Sequence, residues 1–284
     1  MAQSQLHSIH RPPDVASDRP PLLFLHGAYV DARSWDAHFL PYFASHGHDC
    51  HALDFSGHGR SSGREHLDAL SLDDYLADAE RLIESFERPP VVIGHSMGSF
   101  IAERLLERSR AVAGVLLAPV PIGGTFESAT KLLLQHPQFF AEVINVTRGR
   151  VSSDALRLIK EVYFSPATTP ESLLRFLALI QPESARAICD LALLACWRWS
   201  PKPPPALPVL VVGGELDTVF PPAMIRPVAR RWKAELEIVP ATGHALIVDE
   251  HWRDCAARIL DWLAKLSPQV DATPVVREAT DCPA

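Results

Sequence analysis

The amino-acid sequence predicts an α/β fold with a mostly parallel, doubly wound sheet and an inserted helical lid. Short apolar segments such as PLLFLHG (21–27) and VVIG (91–94) are typical of buried strands, and amphipathic helical segments separate them. The alternation stops at Gly123 and resumes after Pro205, and the residues between them have helical patterns without a convincing strand. We therefore expect four parts: an N-terminal leader (1–20), an α/β core (21–122 and 206–266), a helical lid or cap (123–205) and a disordered or loosely packed C-terminal tail (267–284).

Further apolar segments complete the predicted sheet. They are HDCHALD (48–54), GVLLAP (114–119), VLVVGG (209–214) and ELEIVP (235–240). The leader segment SQLHSIH (4–10) alternates enough between polar and apolar residues to add one short edge strand.

Specific residues mark the ends of the predicted helices. The segment SWDAHFLPYFASHG (34–47) spaces its apolar residues as one helix and ends at Gly47, a residue type common just past a helix end. Ser71 begins an S-x-x-D capping pattern before a helix that runs to about residue 86. In the lid, Thr169 followed by Pro170 predicts a helix start. The last core helix is expected over about residues 250–266.

Charge and composition narrow the classes of function. The 284 residues include 27 Lys or Arg and 34 Asp or Glu, a net charge of −7, and the charges are scattered. This pattern is unlike the basic stripe of a nucleic-acid binder or a polybasic membrane patch. The N-terminus lacks the apolar region of a secretory signal, no apolar run approaches the roughly 20 residues that span a bilayer, and the five cysteines include no CxxC pair. We expect a cytoplasmic protein with free thiols, no nucleic-acid partner and no stable membrane insertion.

The segment Gly94-His95-Ser96-Met97-Gly98 matches the G-x-S-x-G pattern of a nucleophile on a tight strand-to-helix turn. Such a turn needs small flanking residues so that the helix can pack close to the strand. The following helix N-terminus also offers amide donors where an oxyanion would form. The alternative is a plain tight turn, but the strand before and the helix after Ser96 favour the nucleophile.

A serine hydroxyl needs a base, and the base needs a group that orients it. His244 lies in a loop past the last predicted strand, and Asp217 lies just past VLVVGG. Both are therefore expected at the carboxyl ends of strands, where open α/β sheets bind ligands. The other candidate carboxylates are Asp249, close to His244 in sequence, and Glu215, which precedes the loop position.

The remaining histidines suggest no catalytic metal. His46, His48 and His51 lie close together, but their spacing is irregular and no carboxylate cluster joins them. His38 and His136 are expected to be solvated helix residues. We therefore predict no metal and no cofactor at the site.

Several motifs together resemble one known family. They are Leu25-His26-Gly27-Ala28, the loop 54–61 (DFSGHGRS), the turn 94–98, Gly214-Glu215-Leu216-Asp217 and Gly243-His244. In this combination the chain resembles the α/β-hydrolases of the lysophospholipase or monoacylglycerol-lipase type, a serine aminopeptidase-like group. The resemblance covers about residues 20–265 and leaves the lid unmatched except in length. One departure is the short leader, so the antiparallel hairpin usual at the first sheet edge is expected to be shortened or missing.

The resemblance implies a role for each matching residue. Ser96 is the nucleophile, His244 the general base and then acid, and Asp217 the orienting carboxylate. The backbone N–H groups of Ala28 and Met97 form the oxyanion hole. His26 is expected to brace its loop, whereas the loop residues His58 and Arg60 are open to a structural or a functional role.

The lid is rich in apolar residues, and four of them are candidates to line an acyl pocket: Leu133, Phe139, Phe140 and Phe176. For any one of them, packing within the lid is the simpler interpretation, and the roles of Trp197 and Trp199 stay open. The implied activity is hydrolysis of carboxylic esters, with small-molecule monoacyl, lipid-like esters favoured as substrates. The alternatives are a thioesterase, a cofactor-free haloperoxidase-like perhydrolase, or a non-catalytic ligand-binding protein on the same scaffold.

Overall fold

A computed structural model describes residues 5–15, 18–193 and 204–266. The strands of these residues form one seven-stranded sheet in the order β1-β3-β2-β4-β5-β6-β7. The strands are β1 (His7–Arg11), β2 (Leu22–Leu25), β3 (Cys50–Asp54), β4 (Val91–His95), β5 (Ala113–Leu117), β6 (Val209–Gly214) and β7 (Glu235–Val239). Five neighbouring pairs are parallel and only β1 runs antiparallel, against β3. The predicted mostly parallel sheet is confirmed.

The edge strand β1 confirms the prediction drawn from the leader. It pairs with β3 rather than with β2, the next strand along the chain, so no hairpin joins the first two strands. The antiparallel edge of the described sheet is thus shortened to a single strand.

Eleven α-helices lie in the described residues. They are α1 (Arg33–Asp36), α2 (Phe39–Ser45), α3 (Leu72–Ile83), α4 (Met97–Glu107), α5 (Phe126–Gln135), α6 (Phe139–Thr147), α7 (Ser153–Tyr163), α8 (Pro170–Leu177), α9 (Ala185–Ala192), α10 (Pro222–Trp232) and α11 (Trp252–Lys265). Ser71 caps α3 as predicted: its side chain accepts from the Asp74 N–H, and the Asp74 carboxylate accepts from the Ser71 N–H. Thr169 caps α8 in the same way, accepting from the Ser172 N–H, with Pro170 at the first helical position.

One helix prediction is wrong in detail. The segment 34–47 forms two short helices instead of one, because His38 leaves helical backbone angles (φ −144°, ψ −51°). The His38 ring stacks on Trp252 with centroids 4.5 Å apart, so it is not the solvated helix residue that the sequence suggested. His136 also ends a helix, at the C-cap of α5, and is half-buried. Gly47 follows α2 with a φ of +83°, as expected for the residue past a helix end.

The sheet is covered on both faces. Leu23 and Leu25 of β2 point into one apolar cluster, and Leu22 and Phe24 point into the other. Helices α3, α4 and α10 cover the first face, and α1, α2 and α11 cover the second. A parallel sheet buried on both faces explains why its strands read as continuous apolar runs in the sequence.

The segment between β5 and β6 contains helices α5 to α9 and no strand within residues 123–193 and 204–205. Most of its buried apolar residues form two small clusters of their own, one of which includes Ala245 next to His244, whereas Ala187 and Leu191 of α9 belong to the first cluster of the core. We call this segment the helical insert; its separation from the core as a lid stays a prediction. Trp197, Trp199, Cys196 and the tail 267–284 lie outside the described residues.

Every helix in the described part of the chain is too short or too polar to cross a bilayer. The three cysteines within it, Cys50, Cys189 and Cys255, are free thiols.

Candidate active site

Ser96 occupies a strained turn between β4 and α4. Its φ of 51° and ψ of −118° are rare for a residue with a side chain, and its N–H donates to the Leu117 carbonyl at 2.9 Å. Two glycines make the turn possible. A Cβ at Gly94 would collide with the Gly98 backbone, and a Cβ at Gly98 would collide with the Leu25 carbonyl. The small residues of the G-x-S-x-G pattern are therefore a steric requirement of the turn.

The structure brings Ser96, His244 and Asp217 into one hydrogen-bonded chain. The Ser96 Oγ–H donates to His244 Nε2 over 3.1 Å, and His244 Nδ1–H donates to Asp217 Oδ2 over 2.8 Å. The carboxylate can only accept, so it fixes the imidazole tautomer that leaves Nε2 free to take the serine proton. His244 and Asp217 are each 3% exposed, so this chain of bonds is shielded from bulk water.

Backbone donors hold the Asp217 carboxylate in place. Its Oδ1 accepts from the N–H groups of Val219 and Phe220, each at 2.8 Å, which leaves Oδ2 for His244. The two other carboxylates considered from the sequence are engaged elsewhere. Asp249 accepts from the N–H and hydroxyl of Ser165, and Glu215 accepts from the Ala241 N–H. The arrangement selects Asp217 as the partner of His244.

The two predicted oxyanion donors lie beside Ser96. Met97 follows it directly at the start of α4, and a Cβ added to Gly27 would lie 3.3 Å from the Ser96 Cβ, so the turn carrying Ala28 passes alongside. Within the described residues, no protein group accepts from the Met97 or the Ala28 N–H. Two unused donors next to a serine oxygen are suited to an oxyanion.

His95 holds the backbone of His244 in place, a role that the sequence did not predict. Its Nε2–H donates to the His244 carbonyl at 2.9 Å. Burial, and after it the neighbouring His244, lowers the pKa of His95 to about 3, so its ring is neutral and positions the His244 backbone. Its place just before Ser96 at the end of β4 was the only sequence signal.

His26 braces its loop, as predicted. Its Nδ1–H donates to the Gly27 carbonyl at 2.9 Å, and its Nε2 accepts from the Phe55 N–H at 3.3 Å. Both bonds require the neutral ring, and burial together with His58 lowers the pKa of His26 to about 4.

A second buried polar cluster joins the helical insert to the core. Glu183, from the insert, accepts from His58 Nε2–H at 3.1 Å, the Tyr29 N–H at 3.2 Å, the Tyr75 hydroxyl at 2.8 Å and the Ser184 N–H at 2.8 Å. We call this the Glu183 cluster. It assigns a structural role to His58, whereas Arg60, the other undecided loop residue, is exposed.

Opposing effects set the charge states of this cluster. Burial favours the neutral form of Glu183, but His58 and the other donors outweigh it and lower the pKa of this carboxyl. Burial likewise lowers the pKa of His58, but the Glu183 carboxylate outweighs it and the net shift is upward. The cluster therefore holds a buried ion pair.

The insert also holds the turn that carries Ala28. Tyr29, the next residue, has a φ of 66°; its N–H donates to Glu183, and its carbonyl accepts from the Gln181 N–H at 2.8 Å. The Gln181 side chain donates in turn to Asp31 at 2.9 Å. No sequence pattern predicted the contact of Gln181 and Glu183 with this turn, because about 150 residues separate them from it.

The four candidate pocket residues differ in position. Leu133 is 50% exposed and Phe140 37% exposed, so both lie at the surface of the insert. Phe139 and Phe176 instead pack on the Tyr163 ring, with centroids 5.6 and 6.3 Å away. Tyr163 lies 5.7 Å from the His244 ring, so it links this apolar pair to the site.

One solvent-open groove of about 690 Å³ lies apart from these residues. It runs along the β1 edge of the sheet, and its lining includes Arg11, Arg60 and Gln181 but no member of the Ser96 site. It is therefore not the expected acyl pocket.

This arrangement is typical of α/β-hydrolases. The serine lies on a strained turn of a seven-stranded, mostly parallel sheet, and the acid and the histidine follow later strands. The sequence profile of the Alpha/beta hydrolase family matches residues 22–258. The chain belongs to this family.

Its relatives in sequence include two haloperoxidases by name. It is 34% identical over 110 residues to the "Non-heme chloroperoxidase" of Burkholderia pyrrocinia, a match that covers 37% of this chain and 38% of that protein. It is 26% identical over 239 residues to the "Putative non-heme bromoperoxidase BpoC" of Mycobacterium tuberculosis, covering 74% of this chain and 80% of that one.

Solved structures share the fold at low sequence identity. The BpoC structure has a TM-score of 0.71 and 23% identity, covering 93% of this chain and 97% of that one. The monoacylglycerol lipase of Paleococcus ferrophilus has a TM-score of 0.69 and 18% identity, covering 93% and 100%. An esterase of Thermogutta terrifontis also has a TM-score of 0.69 and 18% identity, covering 92% and 94%.

Proposed function

We propose that the protein is a serine hydrolase that cleaves carboxylic esters, with monoacyl, lipid-like esters as its preferred substrates. The observation that carries the proposal is the hydrogen-bonded chain from Ser96 through His244 to Asp217, with two unused N–H groups beside Ser96. The chain belongs to the α/β-hydrolase family. The catalytic roles of the three residues and the ester substrate are what we propose.

In this mechanism His244 Nε2 takes the Ser96 hydroxyl proton while Oγ attacks the acyl carbonyl. The N–H groups of Met97 and Ala28 donate to the oxyanion of the tetrahedral intermediate. His244 then returns the proton to the leaving alcohol, which departs and leaves an acyl-Ser96 ester. Water, deprotonated by His244, attacks this ester and releases the carboxylic acid.

The preference for an apolar acyl group rests on the insert. Phe139 and Phe176 reach the site through Tyr163, and large apolar side chains elsewhere on the insert are exposed, among them Leu134 at 77% and Leu174 at 57%. Contiguous exposed apolar surface is typical of sites that bind an apolar ligand or partner.

A fluorophosphonate probe tests the nucleophile. The wild type should be labelled covalently and Ser96→Ala should not, with Ser85→Ala, an exposed serine on the surface, as the matched control. Folded wild type that resists labelling would contradict the proposal.

A series of p-nitrophenyl esters from acetate through octanoate to laurate tests the substrate class. We expect kcat/KM to rise with acyl length, since each buried methylene contributes about 0.8 kcal/mol, or roughly fourfold. Preference for acetate would contradict the lipid-like substrate but not the serine hydrolase.

The names of the two sequence relatives favour perhydrolysis as a second candidate activity. Hydrogen peroxide would replace water, attack acyl-Ser96 and give a peroxycarboxylic acid, which oxidises a halide ion. Bromination of monochlorodimedone in acetate buffer with hydrogen peroxide measures this activity. It should disappear in Ser96→Ala if it uses the same serine.

A further inference from the structure

A group of metal-ligating side chains lies at the β1 edge of the sheet, outside the proposed catalytic site. His10 of β1 and His51 of β3 are direct register partners in the antiparallel pair. Opposed residues of neighbouring strands point to the same face, with Cβ atoms about 5 Å apart. Asp49 lies directly before β3, two residues from His51, and its carboxylate meets the His51 ring on the same face.

All three side chains converge on one point. His10 Nε2 lies 2.7 Å from Asp49 Oδ1, and His51 Nε2 lies 3.2 Å from Asp49 Oδ2. The two imidazole rings are stacked, with centroids 4.2 Å apart and planes inclined by 9°. The ligand atoms of the three residues lie within 4.8 Å of one another. Both rings thus present the same nitrogen to the same carboxylate.

The site is open to solvent and fixed to the sheet. The side chains of His10 and Asp49 are 49% and 40% exposed, and that of His51 is 15% exposed against the Phe86 ring. An ion can therefore reach the site and keep water at its remaining positions. The backbone of His10 and His51 is held by strand pairing, so the two histidine ligands need no large rearrangement to come together.

The types of the three ligands determine which metal ion the site prefers. Two imidazole nitrogens and one carboxylate oxygen suit Zn²⁺, Cu²⁺ or Ni²⁺, at about 2.0–2.2 Å from each ligand for Zn²⁺. Mg²⁺ and Ca²⁺ prefer oxygen ligands alone. Ligand atoms around a tetrahedral Zn²⁺ are about 3.3 Å apart by these bond lengths. The His51–Asp49 contact of 3.2 Å matches this spacing, and the His10–Asp49 hydrogen bond of 2.7 Å has to lengthen when an ion replaces its proton.

We propose that His10, Asp49 and His51 bind one divalent transition-metal ion of the Zn²⁺ type, which clips the edge strand β1 to β3. From the sequence, His46, His48 and His51 were considered as a metal group and set aside, because their spacing is irregular and no carboxylate cluster joins them. The structure separates that group: the His48 ring meets Arg19, whereas His51 joins Asp49 and a histidine from another strand. The inference does not depend on the proposed function, because none of its three residues belongs to the Ser96 site.

Calorimetric titration of tag-free, metal-free protein with Zn²⁺ tests the site. We expect one ion per chain, and we expect His10→Ala and His51→Ala each to weaken binding by at least about tenfold, the smallest loss typical even of residues one step from a metal. His66→Ala removes an exposed histidine that is not part of the cluster and should bind as wild type does. Mg²⁺ should not compete.

Thermal unfolding provides a second measurement. At free Zn²⁺ about 100 times its Kd, the Tm of wild type should rise by about 5 °C. The rise should fall by about half or more in His10→Ala, and also in Asp49→Asn, which keeps the size of the side chain, because a tenfold weaker Kd removes about half of the stabilisation. Circular dichroism of the metal-free variants shows whether each is folded.

Electron paramagnetic resonance of the Cu²⁺-loaded protein identifies the ligands. We expect two imidazole nitrogens in wild type and one in either histidine variant. The proposal is overturned if wild type binds no Zn²⁺, or if folded His10→Ala and His51→Ala bind it as tightly as wild type does.

Discussion

Two buried polar clusters lie beneath the helical insert, and they differ in how completely their hydrogen bonds are satisfied. Glu183 accepts four hydrogen bonds from His58, Tyr29, Tyr75 and Ser184, so its cluster is closed. The chain from Asp217 through His244 ends instead at the Ser96 hydroxyl, next to two unused N–H groups. Ser96, at the open end, is only half-buried and its hydroxyl can meet a reacting group, whereas the closed cluster joins the insert to the core.

Burial of charged groups alone therefore does not identify a catalytic site. His58 and Glu183 are both buried and both have shifted pKa values, yet both ring nitrogens of His58 and both oxygens of Glu183 are already hydrogen-bonded to other groups of the protein. We therefore expect changes in the Ser96 chain to reduce activity, and changes in the Glu183 cluster to reduce stability.

Replacement of Ser96 should have the largest effect on activity. Ser96→Ala removes the attacking oxygen, and we expect ester hydrolysis to fall by about 10⁶-fold while the fold is kept. The rate with the best p-nitrophenyl ester and the urea midpoint measure the two quantities. A loss of activity below about tenfold would contradict the catalytic role of the Ser96 chain.

The Asp217→Asn variant tests the orienting carboxylate. An amide at this position can donate to His244 and stabilise the wrong tautomer, so kcat should fall by about 10⁴-fold. Asp249→Asn is the matched control, because Asp249 binds Ser165 rather than His244. Equal losses in the two variants would argue against the assigned role of Asp217.

Breaking the buried ion pair should have the largest effect on stability. Glu183→Ala leaves the His58 charge buried without a partner, and we expect unfolding to become easier by about 3–5 kcal/mol. Urea unfolding of this variant and of Glu127→Ala, a surface change on the insert, provides the comparison. A loss similar to that of the control would show that the cluster does not hold the insert.

The pH dependence of stability separates the neutral histidines from the charged one. The pKa values of His26, His48 and His95 fall from 6.5 to about 4, about 4 and about 3, so the unfolded chain binds protons that the folded protein does not. Stability should therefore fall as the pH drops below 6.5, by about 1.4 kcal/mol per pH unit for each residue. The raised pKa of His58 has the opposite effect. The stability that His58 contributes is present below pH 6.5 and is lost as the pH rises through its pKa in the folded protein.

Urea midpoints measured between pH 8 and pH 5 test both directions. A His95→Gln variant should lose about a third of the slope below pH 6.5 or less, since His26, His48 and the other histidines with lowered pKa values still supply the rest. An unchanged slope in that variant would argue against a neutral His95.

The smallest expected effect lies outside both clusters. Ser71→Ala removes the α3 cap and should cost about 1 kcal/mol of stability with no change in activity. Urea unfolding measures it, and Ser153→Ala is the control, because Ser153 is exposed and Ser152 is the residue that caps its helix, α7. An effect on activity would link α3 to the site.

The local parts of the protein followed from the sequence. The alternation of apolar strands with helices predicted the sheet, because a parallel sheet buried on both faces needs such strands. The turn around Ser96 was predictable from Gly94 and Gly98, since no other residue fits against the neighbouring backbone. Asp217 and His244 could be selected because parallel strands bring their carboxyl ends to one edge.

Contacts between distant segments were decided only by the tertiary structure. Glu183 has no motif around it, and its role arises from the approach of the insert to Tyr29 and His58. In the same way, only the pairing of β1 with β3 places His10 opposite His51. The sequence determined the strands, the turn and the candidate triad, because local sterics and periodicity specify them. Which polar groups meet across the fold depended on how the packed elements brought remote residues together, and no local pattern encodes that.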